Sequence, residues 1–397
     1  MTTAGVEPGV PAFRNRLPVD IRFGEGVVAE LAAVVESEQA QRPFVILDAV
    51  AGDLPGVADA LASLGAQGIV VTTHVKAAGE PTAGEADSVR DALASAKADM
   101  VIAIGGGSVI DVAKAARLAL SVRLPYQTVE ADLDLAAAAP AIPLVAIPTT
   151  AGSGSEVSGG IVIADDETHI KTGVAAPFVR AEYALVDPVL TYRAPATVTS
   201  WGGIDALAQA IASIVTHSRK PVGTAIALEA VRLAARALPA VVADGENRAA
   251  RQEMACASLM SGIAMNISDC GSEHSLAMAL GGRCGLPHGL TIGLVLAESM
   301  DVDRRAVPEL FERIADALGE PPDGTYDGSR AVRGVARILF EIDFPLLRAY
   351  DVEESEVDGL AAAAMEDFFI TLAPWAWTAH DAADVYRRAL TLSQRSI

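Results

Sequence analysis

The 397-residue sequence predicts an α/β half built on a parallel sheet, followed by an all-helical half. Three observations carry that prediction. Short apolar runs alternate with helical patterns up to about residue 190. A glycine cluster stands directly between one such run and the helical pattern after it. Beyond about Ala194, β-branched runs become rare and Ala- and Leu-rich windows take over. The division is placed at 1–194 for the α/β domain and 195–397 for the helical domain.

The elements follow in order. PFVILD (43–48) is an uninterrupted apolar run and reads as a buried strand; Ala58–Leu64 is helical, and GIVVTTHV (68–75) is a second strand. Glu85–Ala98 has helical composition and leads into MVIAIGGGS (100–108), a strand running into glycines. A helix resumes over Asp111–Ser121, and IPLVAIPTT (142–150) is the next strand. Strands joined through helices pair in parallel and place ligands at their C-terminal ends. In the second half, Asp205–His217, Thr224–Leu238 and Arg248–Met265 suit long helices.

Composition narrows the function. Acidic residues outnumber basic ones 51 to 30, a net charge of -21, so phosphate backbones and anionic lipid surfaces are repelled and neither nucleic acid nor membrane is expected as a partner. A hydrophobic content of 51% supplies a large core. The three cysteines, Cys256, Cys270 and Cys284, form no CxxC pair and indicate a reducing compartment. The N-terminus lacks the basic head and apolar run of a signal peptide, and no apolar stretch spans a bilayer without Pro, charge or clustered Gly. A cytoplasmic protein is expected. His and Lys are scarce, at six and five.

Gly105, Gly106, Gly107 and Ser108 lie between a strand and a helix, where backbone N–H groups approach a phosphate closely and the helix N-terminus favours its charge. A tight turn is the alternative use of three glycines. IPTTAGSGSEVS (147–158) adds Thr149, Thr150, Ser153, Ser155 and Ser158 just past another strand, so two polar, glycine-rich strand ends converge on one crevice. Asp48 closes the strand PFVILD; there a carboxylate accepts ribose hydroxyls and repels a 2′-phosphate, favouring NAD over NADP, unless it caps a turn. The glycines follow the third recognisable strand, so this is a Rossmann-like site without the ordinary GxGxxG fingerprint.

A second constellation lies in the helical half. Asp205 and Gln209 are four residues apart on one helix face. His274 sits on a helical pattern, and His288 stands between Pro287 and Gly289 as if presented by a turn. One Asp and two His make a divalent-metal ligand set with an open position, although a buried His in an Ala-rich helix is commonly a core residue.

Taken together, FGEG (23–26), GGGSVIDVAK (105–114), IPTTAGSGSEV (147–157), VDP (186–188), GGIDALAQAI (202–211) and the His274-to-Gly289 stretch resemble the iron-containing (group III) alcohol dehydrogenase family from about Leu17 to Ala389. The resemblance implies a dehydroquinate synthase-like architecture with the active site between the two halves. It implies NAD(P)-dependent interconversion of an alcohol with its aldehyde or ketone, one divalent metal (Fe²⁺ or Zn²⁺) and a homodimer. Gly107 and Ser108 match pyrophosphate contacts, with Gly106 and Asp111 of the same motif assigned beside them. Thr149, Thr150 and Ser153 match cofactor-binding hydroxyls, and Lys171 matches a lysine near the cofactor ribose. Asp205, His274 and His288 match three metal ligands and carry the catalytic assignment.

Three departures stand out. Gln209 replaces the usual fourth His; it ligates through oxygen, or only holds a water beside a three-ligand site, or marks a site that works without metal, as in the related maleylacetate reductases. Met278 replaces a second His one turn after His274. Ala373–Pro374–Trp375 replaces Asn-Pro-Arg, and Trp375 and Trp377 are expected to pack the last helices, with His380 at the surface. Sugar-phosphate cyclases of the same fold need several cations, and no Lys follows Lys220. Arg283 leaves room for an anionic substrate. A metal-independent reductase of an anionic carbonyl and a catalytically silent nucleotide-binding protein are the rival readings.

Overall fold

The computed structural model describes residues 12–139, 141–167 and 171–392. The N-terminal stretch read as lacking a signal peptide begins in residues 1–11, outside the described residues.

Six parallel strands form the main sheet: β1 (Asp20–Phe23), β2 (Pro43–Leu47), β3 (Thr72–Val75), β4 (Met100–Gly105), β5 (Leu144–Pro148) and, late in the chain, β8 (Tyr183–Val186). Their spatial order is β1-β8-β5-β4-β2-β3. The central runs β2, β4 and β5 are buried along their whole length. Alternate side chains serve opposite faces. Phe44 and Ile46 join one core with Val101 and Ala103, while Val45 and Leu47 join another with Ile102 and Ile104. Two apolar faces require helices on both sides, which explains runs without polar alternation. The order of strand addition reverses between β2 and β4: β3 lies outside β2, while β5 and β8 lie beyond β4. Asp48 and the glycine cluster therefore flank the switch point, where open α/β sheets bind ligands.

Three features depart from the sequence expectation. The strand expected over 68–75 begins only at Thr72, since Gly68 takes a left-handed turn (φ 80°) and β3 is an edge strand with Val75 exposed. Strands β1 and β8, four residues each, were too short to stand out. An antiparallel hairpin, β6 (Gly160–Ala164) and β7 (Lys171–Ala175), interrupts the parallel pattern and carries Lys171.

After Pro195 the described chain is helical. The Ala196–Val215 helix carries Asp205 and Gln209; among the described residues it is the one helix long and apolar enough to cross a bilayer, and 83% of that window is buried inside the protein. The Arg248–Ser268, Ser272–Cys284 and His288–Asp303 helices complete the surroundings of the two histidines. Trp377 is buried and donates its indole N–H to Asp303 Oδ1 at 2.8 Å, and Trp375 packs on the helical core, so both aromatics pack the last helices; His380 is exposed.

Asp303 ties the C-terminal segment to the His274 helix by also accepting Ser272 Oγ at 2.5 Å. Burial pushes its carboxyl up to about 7. Because the folded value lies above the ordinary 3.8, this group's stabilisation is full below about pH 4 and is lost as pH rises through 7. Asp303→Asn removes that titration. Its unfolding free energy should fall between pH 5 and pH 8 by about 2–3 kcal/mol less than that of the wild type. Parallel urea titrations at the two pH values measure the difference, and identical pH dependence would contradict it.

Candidate active site

The cofactor crevice is assembled from two strand ends. Gly106 caps the Gly107–Val122 helix, whose first-turn N–H groups point out over the end of β4. The loop after β5 lies against them, with Thr149 N–H donating to Gly105 O at 3.0 Å. A Cβ on Gly107 would stand 2.6 Å from Ser153 Oγ, so only glycine permits the two loops to meet. The far side of the loop is equally tight. Gly154 has φ 62° and a Cβ there would stand 2.5 Å from Gly262 Cα, which wedges the loop against the Arg248–Ser268 helix. The structure thus brings Gly106, Gly107, Ser108, Thr149, Thr150 and Ser153 together.

Two sequence assignments are refined. Asp48 Oδ1 caps a turn, accepting Val50 N–H at 3.0 Å and Ala51 N–H at 2.9 Å, the alternative use the sequence left open. Asp111 is corrected. It does not face open space, because Oδ1 accepts Ser155 Oγ at 2.5 Å and Oδ2 accepts Val162 N–H at 2.9 Å. Its task is to hold the two loops in register. The same task falls to Lys114, which is fully buried. Its Nζ donates to Ser155 Oγ at 2.9 Å, Ser158 O at 3.0 Å and Gly160 O at 2.9 Å, and burial lowers its pKa to about 8.

The metal constellation closes in space. Asp205 Oδ1 lies 3.7 Å from His274 Nε2 and 3.8 Å from His288 Nε2, and the three donor atoms lie within 4.8 Å of one another. The Ser272–Cys284 helix presents His274, whereas His288 is the first residue of a helix capped by Pro287 rather than part of a free turn. Asp205 Oδ1 is buried and accepts no hydrogen bond. Burial raises its carboxyl to about 6, against the opposing pull of His274 and the Gln209 hydrogen bond. An unsatisfied buried oxygen facing two imidazole nitrogens fits a divalent cation by donor type and by convergence.

Gln209 hydrogen-bonds Asp205 and is engaged on two further sides. Its Oε1 accepts Ser261 Oγ at 3.2 Å, and its Nε2 donates to Ser153 O at 3.2 Å. The amide bridges the cofactor loop, the Asp205 helix and the Arg248–Ser268 helix. A carboxylate that sequence reasoning missed stands next to the cluster: Glu273 Oε1 meets His274 Nδ1 at 2.7 Å. The only sequence signal was its position immediately before His274.

Lys171 lies beside Leu286 O at 3.5 Å and is paired with Glu80 at 3.3 Å. It borders a cleft of about 820 Å³ lined also by Ser275, Met278, Arg283 and Phe368. Arg283, the cation expected to receive an anionic group, is paired with Glu356. Both cations on this wall therefore already have acidic partners.

Comparison with known proteins agrees with this geometry. Residues 18–188 match the family profile described as iron-containing alcohol dehydrogenase, and residues 199–390 match the C-terminal profile of the Fe-containing alcohol dehydrogenase family. The chain is 31% identical over 375 residues to the NAD-dependent methanol dehydrogenase of Bacillus methanolicus, covering 93% of this chain and 97% of the relative. It is 33% identical over 300 residues to the 1,3-propanediol dehydrogenase of Citrobacter freundii, covering 73% and 76%. The crystal structure of a 1,3-propanediol oxidoreductase superposes with a TM-score of 0.89 at 27% identity, covering 96% of this chain and all of that one.

Lys114→Met keeps the side-chain volume but leaves buried oxygens and carboxylates without their cation. The unfolding free energy should drop by about 3–5 kcal/mol, and NADH affinity should weaken with it. Chemical denaturation and fluorescence titration measure the two. A variant as stable as the wild type would contradict the role given to Lys114.

Proposed function

Because the chain belongs to the iron-containing alcohol dehydrogenase family and is an NAD-dependent oxidoreductase acting on alcohols and their carbonyl partners, we propose that it interconverts a small, uncharged alcohol with its aldehyde or ketone, using Asp205, His274 and His288 to hold one divalent ion, Fe²⁺ or Zn²⁺. The single observation that supports the ion is Asp205 Oδ1, buried, unbonded and facing both Nε2 atoms. The paired states of Lys171 and Arg283 support an uncharged substrate over an anionic one. By analogy with the family, the enzyme is taken to be a cytoplasmic homodimer, with an NAD-binding domain over 1–194 and a metal and substrate domain over 195–397.

When bound, the nicotinamide supplies the hydride chemistry and the metal supplies Lewis-acid polarisation of the substrate oxygen, an effect worth several kcal/mol in such sites. The chain's own residues orient and select. N–H groups at Gly107 and Ser108 bind the pyrophosphate, and the hydroxyls of Thr149, Thr150 and Ser153 surround the cofactor. Asp48 Oδ2 accepts a ribose hydroxyl and repels a 2′-phosphate. Asp205 holds its charge among buried groups, where it acts at full strength on whatever cation or dipole enters. Met278, buried and apolar on the cleft wall one helical turn after His274, offers no proton.

The test is NADH oxidation with a panel of aldehydes, keto acids and charged analogues. Turnover should be fastest with short uncharged aldehydes. Chelation and His274→Ala should each cost at least about 100-fold in kcat/KM, the scale of losing several kcal/mol of electrostatic stabilisation. Activity that survives both would sink the metal reading and favour a metal-independent reductase; no turnover despite NADH binding would favour a silent nucleotide-binding protein. Asp48→Gly should relax discrimination against NADPH, and a wild type that already prefers NADPH would refute the Asp48 argument.

A further inference from the structure

Glu273 is a buried carboxylate, 6% exposed, in the first turn of the His274 helix. A lone buried carboxylate is costly unless paired or bonded. No Lys or Arg among the described residues pairs with it; its ion-pair partner is His274. The contact is specific to one ring nitrogen. Glu273 Oε1 lies 2.7 Å from His274 Nδ1, while His274 Nε2 at the other end of the ring faces Asp205 Oδ1. Gly271 N–H donates to the same Oε1 at 3.3 Å and fixes the carboxylate in place.

An acceptor at Nδ1 favours one tautomer of the ring. With its proton on Nδ1, donated to Glu273, the imidazole presents a lone pair at Nε2 toward Asp205 and His288. The arrangement also concentrates charge. Among the described residues neither Asp205 nor Glu273 is ion-paired with a Lys or Arg, so two carboxylates stand at the cluster, the complement of one divalent ion. Gln209, bonded to Ser153 and Ser261, puts a neutral amide where the family has a fourth His. We propose that Glu273 is a positioning residue of the metal centre: it locks His274 with Nε2 toward Asp205, and its charge offsets the missing fourth protein ligand. This rests on the reading that Asp205, His274 and His288 hold the ion.

The probe is Zn²⁺ alone, titrated into the full-length apo protein against a chromophoric chelator. Glu273→Gln preserves shape and removes the charge. It should weaken Zn²⁺ binding roughly 10- to 100-fold, while the apo variant unfolds at the wild-type temperature. Unchanged Zn²⁺ affinity in Glu273→Gln overturns the proposal but leaves the three-ligand site standing; a wild type that takes up no Zn²⁺ overturns both. A second measurement needs no variant. With six His in the chain, ring ¹⁵N–¹H correlation spectra of the Zn²⁺-loaded wild type can be assigned. His274 should carry its proton on Nδ1 and be metallated at Nε2. Metal at Nδ1, or at Glu273 itself, refutes the positioning role.

Discussion

The structure around the cleft depends on one unsatisfied atom. Asp205 Oδ1 is buried and unbonded between two imidazoles. A buried oxygen in that condition costs on the order of 1–3 kcal/mol, more when charged. Nearby donors do not reach it: Gln209 Nε2 donates to Ser153 O and Ser272 Oγ to Asp303 Oδ2. The surroundings keep one position polar, convergent and free. Three side chains from three helices converge on it, so its geometry depends on how those helices pack.

The loop over 149–158 couples that position to the cofactor crevice. On one side Ser153 lies against Gly107, and on the other Gly154 lies against Gly262. Lys114 and Asp111 tie the loop to the glycine helix, and Gln209 ties it to the helix that bears Asp205. Hydride transfer requires nicotinamide and substrate carbon at a set separation, and one loop contacts both the glycine helix and the Asp205 helix. Gln209 then has a physical reason that a ligand role does not: its amide donates to one element and accepts from another.

Much of this was legible in the sequence. The glycine loop, the Thr149–Ser158 loop and the Asp205–His274–His288 set were each readable because their chemistry depends on residue type beside a strand end or on one helix face. What was not legible depends on partners far along the chain. Ser261 lies 52 residues from Gln209, and Ser155 lies 44 residues from Asp111, so no local pattern announces that these groups are already engaged. Glu273 escaped notice for the opposite reason, since a residue adjacent to a ligand ordinarily points away from it. Strands β1 and β8 were missed because four residues carry too little periodicity, and the β6–β7 hairpin because its antiparallel pairing breaks the βαβ rhythm.

The central claim is that the metal position is completed by Asp205, His274 and His288, with Gln209 outside it. X-ray absorption on the protein loaded with a stoichiometric divalent metal, compared between wild type and Gln209→Leu, tests this most directly. Two imidazole nitrogens and one carboxylate should appear as protein donors, and the first coordination sphere should be the same in both proteins. A lost oxygen donor in Gln209→Leu, or fewer than two imidazoles in the wild type, would contradict it.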